Sequence, residues 1–114
     1  MRTPLSARRL AIVQKAFLNF DRSKTGSVDI RNLKQEFRAD SNPLVIDGRS
    51  SVEEMTREFC TNFDEHHSLY GGYSVSLQEF VEFYADVSSC IDSDDYFVAL
   101  VTASWLSNTS NFGY

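Results

Sequence analysis

The chain has 114 residues, of which 42% are hydrophobic and 24% charged, and its formal net charge is −5 at pH 7. This length predicts a single domain over residues 1–114, with one core of about four or five helices. The acidic balance argues against nucleic acid and anionic membrane surfaces as partners, because both attract dense Lys and Arg. No apolar run reaches the roughly 20 residues of a membrane span. Two cysteines and the lack of an apolar leader favour a cytoplasmic protein.

The first part of the chain predicts a helix followed by a ligand-bearing loop. Apolar residues recur at helical spacing up to Phe20. The twelve residues from Asp21 to Asn32 then read DRSKTGSVDIRN. A calcium loop of the EF-hand type takes oxygen ligands from positions 1, 3, 5, 7, 9 and 12 and needs glycine at position 6 for a sharp turn. In this loop Gly26 is at position 6, and the ligand positions hold, in order, Asp21, Ser23, Thr25, Ser27, Asp29 and Asn32.

The last ligand position of this loop has lost its acid. Position 12 ordinarily supplies a bidentate glutamate, whereas Asn32 offers one neutral amide oxygen. Basic residues, among them Lys24 and Arg31, also lie within the loop, and Asp21 and Asp29 are its anionic ligands. The composition predicts calcium affinity at the weak end, about 10⁻⁴ to 10⁻³ M, or none. The alternative is a loop held without metal by hydrogen bonds from Asp21, Ser23 and Asn32.

The chain contains a second copy of this helix–loop–helix unit. The phrase Asn-Phe-Asp at residues 19–21 recurs at residues 62–64. We therefore predict an all-α fold of paired EF-hands, similar to one lobe of calmodulin. The first EF-hand is expected at 6–39 and the second at 50–88.

The second loop keeps an acid but has the wrong spacing. Glu79 matches position 12, yet the count from Asp64 to Glu79 is 79 − 64 + 1 = 16 residues, four more than the twelve of the first loop. In one interpretation residues 66–72 bulge so that Asp64 and Glu79 meet on one ion. In the other the loop begins at Ser68 and has no carboxylate at positions 1, 3 and 5. We predict that this second site is empty.

Two further elements complete the predicted fold. Val28 and Val75 each stand four residues before position 12 of their loops, which predicts a short two-stranded bridge between the loops. Residues 92–107 are typical of a capped amphipathic helix appended to the pair. Its apolar stripe consists of Tyr96, Phe97, Leu100, Val101 and Trp105. This stripe is expected to fill the groove of the pair as an internal ligand, the alternative being that it swings out to bind a partner.

The adjacent histidines His66 and His67 raise the possibility of a transition-metal site, because imidazole suits zinc and copper. Neighbouring histidines on a loop point apart and lack a fixed third ligand, so both are predicted to be solvent-exposed. Cys60 is predicted to be a buried small hydrophobe. No His, Cys or Ser has an identifiable base at motif spacing, so the chain is not expected to be an enzyme.

Several stretches of the sequence resemble one family. They are residues 16–23, 59–64, 75–84 and 94–105. Together they look like the C-terminal EF-hand pair of calcyphosin and its relatives, including a final helix that ends in tryptophan. The resemblance covers about residues 8–106 and implies calcium as the cofactor, with Asn32 departing from the acid found in the family. It also implies a protein partner and, because several relatives are associated with cilia and flagella, an axonemal or microtubule-associated location.

Two functions compete on this sequence. The first is a degenerate EF-hand protein with weak or absent calcium binding, acting as a non-enzymatic structural or protein-interaction module. The alternative is a calcium-responsive adaptor whose apolar groove binds a partner helix. Asn32 and the long second loop favour the first function. The well-placed Asp21, Asp29 and Glu79 favour the alternative.

Overall fold

The structure, a computed structural model, describes residues 5–21 and 24–106. Its elements are α1 Ala7–Phe20, β1 Ser27–Asp29, α2 Ile30–Glu36, α3 Pro43–Ile46, α4 Val52–His67, β2 Ser74–Ser76, α5 Leu77–Ser88 and α6 Asp94–Val101, followed by one π-helical turn Thr102–Leu106. This order confirms the predicted all-α fold of paired EF-hand-like units with a short bridge. Residue 107, the predicted end of the terminal helix, lies outside the described residues. Within the described ranges no helix is long and apolar enough to cross a membrane.

Serine side chains begin four of the helices. Each serine oxygen accepts a hydrogen bond from the backbone N–H three residues later, which satisfies one of the free donors of the first turn. The pairs are Ser6 with Arg9, Ser51 with Glu54, Ser76 with Glu79 and Ser93 with Tyr96. Each such cap stabilises its helix by about 1 kcal/mol.

The connection between the two units differs from the prediction. The first EF-hand was expected to extend to residue 39, but helix α2 ends at Glu36, since Phe37 adopts extended backbone. Its ring stacks on Phe59 of α4, with the ring centroids 4.1 Å apart. Pro43 begins the short helix α3, which was not among the predicted elements. Proline suits this first helical position, since its missing N–H would have no partner there.

The predicted bridge between the loops is confirmed. Strands β1 and β2 pair antiparallel, with Val28 opposite Val75. Val75 is fully buried, and Val28 is half-buried. Backbone bonds extend the pairing on both sides, from the Ile30 N–H to the Tyr73 carbonyl at 2.8 Å and from the Leu77 N–H to the Gly26 carbonyl at 3.1 Å.

The terminal helix packs into the core of the pair through Phe97, Val101 and Trp105, as the packed interpretation predicted. Two members of the predicted stripe do not follow it, since Tyr96 is exposed and Leu100 is half-buried. Trp105 is only 3% exposed. Its ring contacts four phenylalanine rings from different parts of the chain, at centroid distances of 5.1 to 5.5 Å: Phe20, Phe37, Phe59 and Phe80. The indole Nε1–H donates to the Tyr84 hydroxyl at 2.6 Å, and burial raises the pKa of that hydroxyl. The apolar part of the indole is therefore buried among aromatic rings, and its N–H has a hydrogen-bond partner.

A buried arginine joins the first helix to the terminal one. Arg9 is 7% exposed, and its guanidinium lies 5.0 Å from the centre of the Phe97 ring. Its donors reach the Asp94 carboxylate at 2.6 Å, the Ser88 hydroxyl at 2.7 Å, and the carbonyls of Ile91, Ser88 and Asp92 at 2.9, 3.1 and 3.1 Å. These carbonyls lie at the end of α5 and in the turn before α6. Arg9 therefore fixes the corner from which the terminal helix starts.

Replacing Arg9 should test this role. We expect Arg9→Ala to lower the free energy of unfolding by about 3 kcal/mol, because it leaves one carboxylate and several carbonyls without their charged donor. Arg8→Ala is the matched control. Arg8 also contacts an aspartate, Asp95, at 2.6 Å, but the two side chains are 55% and 85% exposed. It should cost less than about 1 kcal/mol. Urea denaturation of both variants measures the difference, and equal losses would contradict a structural role for Arg9.

Candidate metal sites in the two loops

The first loop folds around the carboxylate of Asp21, at position 1. Asp21 is 1% exposed, and its Oδ2 accepts the Gly26 N–H at 2.9 Å. Gly26 has φ of +85°, a conformation that favours glycine and gives the sharp turn expected at position 6. The Thr25 hydroxyl donates to the Ser27 carbonyl at 2.9 Å, so the oxygens of positions 5 and 7 are bonded to each other. The turn has the predicted shape, and its oxygens have internal partners.

The acid at position 9 is bound by an arginine of the same loop. Asp29 caps helix α2 by accepting the Arg31 backbone N–H at 2.7 Å. The Arg31 guanidinium also donates to both carboxylate oxygens of Asp29, at 3.1 and 3.0 Å. The side-chain hydrogen bond and then the backbone one lower the pKa of Asp29 to about 2. The carboxylate is ionised at neutral pH, but a metal ion would have to compete with Arg31 for it.

A cavity of about 560 Å³ lies over this loop. It is lined by Phe20, Asp21, Ser27, Val28, Asp29, Asn32, Gln35 and Glu36. Glu36, one helical turn after Asn32, is a third carboxylate in this lining that the sequence analysis did not identify. Ser23, the predicted ligand at position 3, lies outside the described residues. Over 5–21 and 24–106 no group of three or more His, Cys, Asp or Glu side chains is arranged to hold a metal ion. The described part of the loop thus gathers predicted ligands around one cavity without forming a calcium cage.

The second loop has the length of the first, because helix α4 takes up the inserted residues. Helix α4 continues to His67, so the loop from Ser68 to Glu79 contains 79 − 68 + 1 = 12 residues. The bulge considered for residues 66–72 does not form. Asp64 lies within α4, where its carboxylate accepts hydrogen bonds from the Lys34 ammonium at 3.0 and 3.2 Å. Asp64 and Glu79 therefore have separate partners in the structure.

Glu79 points into the second loop and is bound by a histidine. The residues Glu79 and His67 are 1% and 6% exposed. His67 Nδ1 lies 2.6 Å from the Glu79 Oε2, and Nε2 lies 3.0 Å from the Gly72 carbonyl. Because a carbonyl only accepts, Nε2 carries a proton, and a second proton lies between Nδ1 and the carboxylate. Burial lowers the pKa of His67, but its hydrogen bonds to Glu79 and Gly72 outweigh burial, and the pKa is raised.

The expectation of two solvent-exposed histidines was wrong. His67 follows Phe63 by four residues, as Phe63 follows Phe59, so one helical face carries all three side chains inward. That spacing is the signal in the sequence that could have placed His67. The ring of His66 packs against Phe83 at 5.7 Å, and its buried Nδ1 has no hydrogen-bond partner. Cys60 was predicted to be buried but is half-buried, packed against the core, and this partial burial raises the pKa of its thiol.

The two helix–loop–helix units and their bridge define an EF-hand-like pair. No family model matches the chain. The chain is similar to crustacean calcium-binding protein 23 of Faxonius limosus, with 30% identity over 105 residues. The match covers 92% of this chain and 51% of that protein, so the chain spans about half the length of this relative. The similarity supports a calcium-binding EF-hand-like family and does not single out calcyphosin.

The raised pKa of His67 predicts a pH-dependent stability. The unperturbed value is 6.5. A group whose pKa is higher in the folded state stabilises the fold fully below its unfolded value, and this contribution is lost as pH rises through the folded value. We therefore expect the free energy of unfolding to fall as pH rises above 6.5. Urea denaturation over this range measures it. His67→Gln should remove the slope and His66→Gln should keep it; a His67-dependent gain in stability with rising pH would contradict the assignment.

Proposed function

We propose that this protein is a degenerate EF-hand module with weak or absent calcium binding, and that it acts as a constitutive, non-enzymatic structural or protein-interaction unit. The proposal rests on the charge and the hydrogen bonding of the ligand residues in the first loop. Asp29 is held by Arg31 on both carboxylate oxygens. Asn32, at position 12, has no charge to offset that competition. An EF-hand loop tunes its affinity by ligand charge, so this loop should be at the weak end of the range.

The position of the terminal helix supports the constitutive part of the proposal. A calcium sensor of this class opens its helix pairs and exposes an apolar groove. Here Trp105 lies among four phenylalanine rings, so opening would have to remove it from the core. Truncating a buried Trp typically costs about 3 to 5 kcal/mol. A weakly bound ion supplies too little energy to offset that cost.

The calcium-responsive adaptor is the second candidate, and two observations favour it. The relative from Faxonius limosus is named as a calcium-binding protein. A second cavity, of about 510 Å³, lies beside the terminal helix and includes apolar side chains of Met55, Phe59 and Leu100. In this second function the cavity would widen with calcium and bind the apolar face of a partner helix.

The calcyphosin-like identity and a location at the cilium, flagellum or axoneme belong to the same proposal. They are supported by the resemblance of the two units and the tryptophan-ended helix. Expression of a fluorescently tagged full chain in ciliated cells, followed by co-staining for axonemal microtubules, tests the location. Diffuse cytoplasmic signal in both ciliated and non-ciliated cells would contradict it.

Calorimetric titration with calcium tests the proposed function directly. We expect no binding by the wild type in the micromolar range, and recovery towards about 10⁻⁵ M in Asn32→Glu, which offers two carboxylate oxygens in place of one amide oxygen and adds one negative charge. Asn32→Gln is the matched control, since it lengthens the side chain without adding charge. The chain has a single Trp. The fluorescence of Trp105 therefore reports whether the core opens. Micromolar binding by the wild type with a red-shifted Trp105 emission would establish the adaptor instead.

A further inference from the structure

The second loop encloses a histidine ring between the residues at its positions 5 and 12. In a calcium loop the ion lies between the acid of position 12 and oxygens from earlier positions. In the frame from Ser68 to Glu79, those positions include Glu79 at 12 and Gly72 at 5. The His67 ring bridges these two residues, at 2.6 Å from the carboxylate and 3.0 Å from the carbonyl.

We propose that His67 replaces the metal ion of the second loop, so that its ring, by bridging Glu79 and Gly72, keeps the loop closed without any metal. This inference concerns the second loop and goes beyond the function proposed from the first. With His67 in this role, the second unit is permanently closed and not only unable to bind calcium.

The chemistry of the loop favours a built-in group over an ion. Positions 1, 3 and 5 hold Ser68, Tyr70 and Gly72, and none of these carries a carboxylate. A divalent cation would therefore find Glu79 as the only charged side chain among these positions and position 12. One proton between His67 and Glu79 balances that charge, whichever of the two atoms carries it. A buried acid with such a partner avoids the penalty of an uncompensated charge.

The backbone of the loop is shaped to reach the ring. Gly72 has φ of +76°, in the left-handed region that favours glycine, and this residue presents its carbonyl to Nε2 of His67. The N–H of Gly71 in turn donates to the His67 carbonyl at 3.0 Å. The loop is thus bonded to both the backbone and the ring of the last residue of α4.

The contact also affects the first loop through the bridge. Glu79 lies in the first turn of α5, directly after β2. Strand β2 pairs with β1 of the first loop. A second loop that is closed by His67 therefore holds the strand of the first loop in place whether or not the first loop binds an ion.

Amide hydrogen exchange of the full chain, measured by NMR with EDTA and then with about 10 mM calcium, tests this inference. The probes are the amides of Gly71, in the second loop, and Leu77, which bonds the Gly26 carbonyl. In the wild type both should be protected in EDTA. His67→Ala should lose about tenfold or more of this protection, because a buried charged contact is lost, and calcium should not restore it. His66→Ala, at the only other histidine, is the matched control and should keep it, because His66 Nδ1 lies 3.9 Å from the same Glu79 oxygen without a hydrogen bond to it.

Three outcomes would overturn the inference: Gly71 unprotected in wild type with EDTA, protection of Gly71 that rises with calcium, or equal losses in the two histidine variants. If His67→Ala does not fold, the wild type alone still decides, since the Nε2 proton of His67 should exchange slowly and show a coupling across its bond to Gly72. Rapid exchange of that ring proton would also overturn it. Because Gly71 belongs only to the second loop, its behaviour is separate from the calorimetric result for Asn32.

Discussion

The burial of Trp105 is the interaction on which the rest of the structure depends. Two EF-hand-like units packed together leave apolar faces that need a cover. The indole provides it by contacting Phe20 of α1, Phe59 of α4 and Phe80 of α5. Its N–H is satisfied by Tyr84, so this burial leaves no unpaired donor. The terminal helix is therefore part of the core, and a partner helix would have to displace it.

Charge pairing within the chain explains why the described residues of the two loops do not form a cage of metal ligands. Three of the predicted ligand acids have internal basic partners: Asp29 with Arg31, Asp64 with Lys34, and Glu79 with His67. These pairs are not equivalent. Arg31 is mostly exposed, so solvent screens its attraction for Asp29 and an ion can compete there. The pair of Glu79 with His67 is buried, so a metal ion that replaced the shared proton would incur a larger desolvation cost than an ion that displaced Arg31.

The parts of the fold that follow from local pattern could be predicted from the sequence. The bridge of Val28 with Val75, for example, follows from the position of each valine in its loop. The length of α4 could not be predicted from the repeated Asn-Phe-Asp phrase. In the first unit the loop begins at the aspartate of this phrase, whereas α4 continues past Asp64 to His67. The role of Arg9 was also missed. Its acceptors lie 79 to 85 residues away in sequence, so no local period reveals them.

The pairing of the two loops through β1 and β2 limits which properties of the first loop can vary. In the described part of the first loop the strand is already paired and Gly26 already turns around Asp21, so an ion has little left to order there. The affinity of this loop then depends on the charge and number of its oxygens, because the cost of ordering the loop is met by the fold. The neutral Asn32 and the competing Arg31 both weaken this contribution of the oxygen ligands to calcium affinity. The backbone conformation of this loop thus does not depend on the charge of its ligand side chains, and calcium affinity can change there without any change of fold.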